Sequence, residues 1–252
     1  MFYPPQIAIA LSKSVINTWF DQVFYDVCCV TDAEQKLLPP LGPQPLLFCV
    51  PPTGRGELTC HQSVADLKAS PNRPRVFALA GAVSASLGGV AFGRNLADAL
   101  EQPVCVILPG TAPGGWADQW GFFPDWSTAL EKGPNDAGVL LQIVRDPEFE
   151  VTHLAGHSKG CLGLSEALME LERCGWRDGF KPAVLTLGGV VPLPARVGPT
   201  HQLLGDFDWL GSLNSRLDLD HQRVPGSGHH LNRQLPFHLD VGQVVRDLAL
   251  PA

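Results

Sequence analysis

Four short apolar runs constrain this chain more than any other feature: Val76–Ala80 (VFALA), Val104–Leu108 (VCVIL), Val151–Ala155 (VTHLA) and Ala183–Leu187 (AVLTL). Each is apolar through most of its length, without the alternation of a half-exposed strand, so each reads as a strand covered on both faces. Helical stretches separate them. Gly89–Glu101 sets Phe92, Leu96, Ala99 and Leu100 on one face. Asp136–Arg145 starts at an Asn135 or Asp136 cap and stops before Pro147, and Cys161–Cys174 aligns Leu164, Leu168 and Leu171 before a Gly175 cap. A last helix is expected over Val241–Leu250. This alternation predicts the α/β class, with a mainly parallel sheet and helices on both faces.

The 252 residues suffice for one large domain and are short for two. Residues 75–252 carry the regular pattern. Residues 1–74 read as an N-terminal extension packed on that core. Within it, Lys13–Val30 spaces Val15, Ile16, Trp19, Phe20, Val23 and Phe24 as an amphipathic helix does. The Pro- and Gly-rich LLPPLGPQPLLFCVPPTGRG that follows is extended or looped, with LLFCV as a short strand.

With 45% hydrophobic and 17% charged residues, the chain is globular rather than disordered. Lys and Arg total 18 against 25 Asp and Glu, a net charge of −7 with no cationic run, which argues against nucleic acid as a partner. The seven cysteines follow no repeating spacing, and Cys105 and Cys161 sit in apolar segments. They read as free thiols of a reducing compartment. MFYPPQIAIALSKS lacks a basic signal-peptide start, and no stretch reaches the ~18 apolar residues of a membrane span. The expectation is a soluble, cytoplasmic protein, with signal-less secretion also compatible.

One stretch breaks the rhythm. Between residues 109 and 129, Trp116, Trp120, Phe122, Phe123 and Trp126 lie among glycines and prolines after a strand end. Such a loop over the carboxyl edge of a parallel sheet serves as a lid or an acyl-binding wall; equally, its rings can simply pack the loop onto the sheet.

The chemistry centres on Gly156-His157-Ser158-Lys159-Gly160, a G-x-S-x-G string that leaves an apolar strand and opens an amphipathic helix. That setting is what a nucleophile elbow requires: a turn tight enough to lift the serine oxygen above the sheet, with glycines where strand and helix backbones crowd. The helix then points its first N–H groups at a developing oxyanion, which makes the Lys159 amide one oxyanion donor.

A serine nucleophile needs a base. His153, on a strand, and His157, on the elbow, read as structural. The loop before the last helix, RVPGSGHHLNRQLPFHLDV, offers His229, with His230 as the alternative and His238 less favourably placed. The acid that orients the base is expected between Ser158 and His229, after an apolar run. Asp208 is preferred over Asp206, which reads as a cap or turn residue, while Asp218 and Asp220 read as solvated loop charges.

These features resemble the α/β-hydrolase superfamily, over roughly residues 75–250, in strand–helix order and in the order Ser158, Asp208, His229. Within it, FALAGAVS (Phe77–Ser84) resembles the strand and turn of class 3 (fungal-type) lipases, and DWLGSL their acid turn, although Ala80 and Ala82 replace an Arg and a Thr. The spacing from His229 to Pro236 is closer to that of general esterases. The resemblance implies an α/β-hydrolase-like fold and makes Ser84 the second oxyanion-hole residue, through its backbone N–H and its hydroxyl. It implies a serine hydrolase of carboxylic esters, with a lipid-like or acyl substrate, peripheral lipid contact and no metal or organic cofactor. An acyltransferase or thioesterase would use the same residues, and a non-catalytic binding protein would share the fold.

Overall fold

The apolar runs form the middle of a sheet that has eight strands among the described residues. In chain order these are β1 (Leu46–Val50), β2 (Thr59–His61), β3 (Val76–Leu79), β4 (Val104–Leu108), β5 (His153–His157), β6 (Ala183–Leu187), β7 (Thr200–Gly205) and β8 (Gln222–Val224). The helices are α1 (Asp32–Gln35), α2 (Val64–Ala69), α3 (Ser86–Leu100), α4 (Asp136–Arg145), α5 (Lys159–Cys174), α6 (Trp209–Leu213) and α7 (Val241–Asp247), and residues 19–24 are also helical. The computed structural model describes residues 19–42, 44–81, 84–110 and 136–248. The aromatic stretch with Trp116, Trp120, Phe122 and Phe123 lies outside them.

Across the sheet the order is β2-β1-β4-β3-β5-β6-β7-β8. β1 runs antiparallel to both β2 and β4; every other neighbouring pair is parallel. The chain moves outward from β3 to β4, then returns past β3 to β5 and continues the other way. Sheets that switch direction in this way leave a crevice beyond the carboxyl ends of the central strands, and ligands bind there.

Period-two alternation divides each strand between two cores. Val76, Ala78, Val104 and Val106 face α3 and α7, whereas Phe77, Leu79, Cys105 and Ile107 face α4 and α5. Phe77, Phe92 and Phe149 are fully buried. Each stabilises the fold by about 1.5–3 kcal/mol relative to an exposed ring.

The limits of β5 and α3 depart from the sequence expectation. β5 runs over His153–His157 instead of starting at Val151, because its partners begin only at Val76 in β3 and Ala183 in β6, both in register with His153. α3 begins at Ser86, ahead of Gly89. Its first turn is capped from a distant part of the chain: the Asp21 carboxylate accepts from the Ala85 amide at 2.9 Å and from the Gly88 amide at 2.8 Å. β1 is the LLFCV strand expected in the N-terminal region, and it is a fully buried member of the sheet. No helix among the described residues is long and apolar enough to cross a membrane.

Candidate active site

Ser158 sits between the end of β5 and the start of α5 with φ 54° and ψ −122°. A residue other than glycine reaches that conformation only when its surroundings hold it there. Here the Ser158 amide donates to Leu187 O at 2.9 Å, and the Cys161 amide donates back to Ser158 O at 3.0 Å. The flanking glycines permit the approach. A Cβ on Gly156 would lie 2.9 Å from the Cys161 backbone, and one on Gly160 would collide with the carbonyl oxygen of Leu79 in β3. The turn therefore locks α5 against β3 and leaves the serine side chain at the carboxyl edge of the sheet, half-buried.

The loop after β8 brings His229 to it. His229 Nε2 lies 2.8 Å from Ser158 Oγ, and His229 Nδ1 lies 2.8 and 2.9 Å from the two carboxylate oxygens of Asp208. Because a carboxylate only accepts, Nδ1 carries the proton, and Nε2 is left to accept from the serine hydroxyl. The Asp208 side chain is completely buried, so this contact takes place away from solvent. Asp208 also caps α6, accepting from the Gly211 amide at 2.6 Å. Gly188, at φ +66° just past β6, makes room for the pair: a Cβ there would stand 3.0 Å from the imidazole and 3.1 Å from the carboxylate. That glycine was not singled out from sequence, although a Gly-Gly immediately after an apolar run is the available signal.

The other candidates go elsewhere. Asp206 is exposed, and Asp218 pairs with Arg216. His230 Nε2 is 3.0 Å from Pro236 O, and burial lowers its pKa. His238 Nδ1 is 3.2 Å from Leu235 O. His153 contacts the Thr152 hydroxyl at 2.9 Å on its strand.

Lys159 is the first residue of α5, so its amide belongs to the helix end that points past Ser158. Ser84 is buried beyond β3, its amide 3.4 Å from Gly81 O and its hydroxyl 3.0 Å from Tyr25 Oη. Tyr25 and Asp21 are a part of the site that sequence reasoning missed. Both come from the first described segment and reach the loop that follows β3, and no local motif marks either of them.

A half-buried, proton-accepting histidine, oriented by a buried carboxylate and aimed at a strained serine, is suited to nucleophilic chemistry at an electrophilic carbon. No protein-family model matches the chain, and no curated protein matches it. Solved structures do. One is a hyperthermophilic esterase from the archaeon Pyrobaculum calidifontis, with 14% sequence identity, a TM-score of 0.51, and coverage of 94% of this chain and 89% of that one. Another is an α/β hydrolase from the metagenome of Lake Arreo, Spain, studied as a serine-to-alanine mutant, with 13% identity, a TM-score of 0.52, and coverage of 96% and 88%. Likeness across nearly the whole of both chains, together with the strand order and the elbow, identifies the architecture: the chain has the α/β-hydrolase fold.

Proposed function

We propose that the protein is a serine hydrolase of carboxylic esters, with Ser158 as nucleophile, His229 as base and Asp208 as the group that orients it. The observation that carries this reading is the continuous hydrogen-bonded chain from Ser158 Oγ through His229 to the buried Asp208. As Ser158 Oγ attacks the ester carbonyl carbon, its proton passes to His229 Nε2, and Asp208 stabilises the imidazolium. The carbonyl oxygen becomes an oxyanion facing the Lys159 amide at the start of α5. The Ser84 amide is the second donor in this reading, since its internal partner, Gly81 O, stands at the outer limit of a hydrogen bond. Collapse of the tetrahedral species breaks the bond to the leaving alkoxide, which takes the proton from His229. Water, deprotonated by the same nitrogen, then attacks the acyl-enzyme and releases the acid.

An apolar acyl group fits the surroundings. Phe207 and Trp209, which bracket Asp208 in sequence, are 59% and 68% exposed, and the Phe207 ring meets Phe237 at 5.6 Å. The rings of His229 and Phe24 stand perpendicular, with their centres 5.8 Å apart. Trp116, Trp120, Phe122 and Phe123 extend the proposal as further substrate contacts. Transfer of the acyl group to an alcohol, amine or thiol would use the same residues.

Labelling with a fluorophosphonate, followed by mapping of the modified residue, tests the reading. Modification of Ser158 that disappears in His229→Ala is the expected result. A folded protein left unmodified would sink it.

A further inference from the structure

Residues 21–25 make hydrogen bonds to three segments that are far from one another in sequence: 81–88, His157 and 231–232. Asp21 binds the Ala85 and Gly88 amides, and a Cβ on Gly88 would strike that carboxylate. Two main-chain carbonyls bind the segment that carries His229: Phe24 O accepts from the Leu231 amide at 2.8 Å, and Gln22 O accepts from Asn232 Nδ2 at 2.6 Å. Tyr25 reaches furthest into the site. Its Oη lies 3.0 Å from the Gly81 amide, 3.0 Å from Ser84 Oγ and 2.9 Å from His157 Nδ1. His157 Nε2 in turn lies 3.0 Å from the carbonyl oxygen of His229.

The direction of every bond in this buried chain can be derived. A carbonyl only accepts, so His157 Nε2 carries the proton. Burial holds the His157 pKa near 3, down from 6.5, so the ring is neutral and Nδ1 is an acceptor. Tyr25 must therefore donate its one hydroxyl proton to Nδ1. The Tyr25 oxygen then accepts from the Gly81 amide and from the Ser84 hydroxyl. Ser84 thus has its hydroxyl proton committed to Tyr25, and only its amide is available to an oxyanion. Gly81 lets these groups converge: a Cβ there would come within 3.1 Å of Tyr25 Oη and 3.3 Å of Ser158 Cβ.

We infer that Tyr25 is a positioning residue of the site. Through His157 it holds the His229 main chain, so that the imidazole stays in line with both Ser158 Oγ and Asp208, and through Gly81 and Ser84 it fixes the loop that offers the second oxyanion donor. The geometry supports this over simple core packing, because the relay ends on the backbone of the base itself. Removing one hydroxyl would leave three buried polar groups without a partner, and each would relax by shifting the loop it belongs to. The inference rests on the ester-hydrolase reading for the meaning of the site, and its test separates the two.

Nitrogen-15 NMR of histidine-labelled protein at neutral pH reads the tautomer directly, with no reference to activity. The expected state of His157 is neutral, with the proton on Nε2. Tyr25→Phe keeps the ring and removes the oxygen. It should slow fluorophosphonate labelling of Ser158 about 10- to 100-fold per folded molecule, and lower kcat on a p-nitrophenyl ester while leaving KM unchanged. His157→Leu should behave like Tyr25→Phe. His157→Gln has an amide donor and an acceptor to replace the two ring nitrogens and should stay within about threefold of wild type. A purely structural role would lower the Tm of all the variants and leave the rate per folded molecule unchanged. Wild-type rates in Tyr25→Phe or His157→Leu, or an Nδ1-protonated His157, would overturn the inference alone. An unlabelled wild type would remove the ester-hydrolase reading and the inference with it. If Tyr25→Phe does not fold, the contrast between His157→Leu and His157→Gln decides.

Discussion

Residues 156–160 and residues 21–25 meet at the same place in the molecule by opposite means. The elbow is a local device. Its two glycines and its strained serine are adjacent in sequence, and the backbone contacts they permit, to Cys161 and to Leu79, follow from how tightly five residues must turn. The N-terminal segment has no such motif. It acts through single polar atoms whose partners are 56 to 210 residues away, from the Gly81 amide on Tyr25 to the Asn232 amide on Gln22. The difference teaches where each kind of change should be felt. Errors in the elbow are backbone collisions with no soft atom to yield, whereas errors in the N-terminal segment loosen loops that otherwise remain folded.

The sharpest way to break this comparison is at the nucleophile. Ser158→Ala should lower turnover of a p-nitrophenyl ester by about 1,000-fold or more while the circular dichroism spectrum is retained. Retained turnover would mean that the elbow is not the seat of the chemistry. Asp208→Asn should cost about 1,000- to 10,000-fold in kcat, because the amide favours the wrong tautomer of His229. It should also weaken the α6 cap, which urea unfolding would detect.

Stability measurements separate the two regions next. Gly160→Ala pushes a Cβ into the Leu79 carbonyl and should destabilise by about 3 kcal/mol or more in urea. Gly42→Ala, whose added carbon meets no atom of the described residues beyond its chain neighbours within 4 Å, should change stability by less than about 0.5 kcal/mol. Asp21→Ala removes a side-chain cap from α3 and should cost about 1–2 kcal/mol. Equal effects of the Gly160 and Gly42 changes would refute the collision argument.

The pH dependence of stability separates the buried ionisable groups of the two regions. Burial raises the Asp21 pKa from 3.8 to about 7. Between those values the folded state holds a proton that the unfolded chain has released, so the Asp21 contribution falls as pH rises. Burial lowers the His157 pKa from 6.5 to about 3, and there the unfolded chain holds the extra proton, so its contribution rises with pH. The two slopes oppose each other across the window from 3.8 to 6.5. In unfolding titrations over that window, Asp21→Asn should tilt the profile upward with pH relative to wild type, and His157→Gln should tilt it downward. Two unchanged profiles would mean that neither group is buried as described.

Much of this molecule was legible in its residues. The expected limits of β4, β6 and α4 coincide with the structure, because an apolar run or an amphipathic period between clear stop signals leaves few alternatives. The elbow was legible for a related reason: tight turns demand particular residue types at adjacent positions. Ser158, Asp208 and His229 were proposed from motif and chain order, and the side chains of Ser158 and Asp208 each stand within hydrogen-bonding distance of His229. The edge strands β2 and β8 carry no comparable signal, since short, exposed strands need no apolar pattern.

The start of α3 shows what sequence could not determine. Nothing near Ser86 announces a cap, because the capping carboxylate is Asp21, on the N-terminal segment. His157 is similar. It read as structural rather than as the base, but that it grips the carbonyl of His229 depends on a tyrosine more than a hundred residues earlier in the chain. Sequence by itself determined the periodic elements, the glycines of the elbow and the types of residue able to do the chemistry, because those rest on local sterics and side-chain character. Tertiary structure alone decided that Tyr25 meets His157, that Asp21 caps α3 and that Gly188 makes room for the Asp208–His229 pair, because these are contacts between single atoms whose partners are chosen only when the chain has closed.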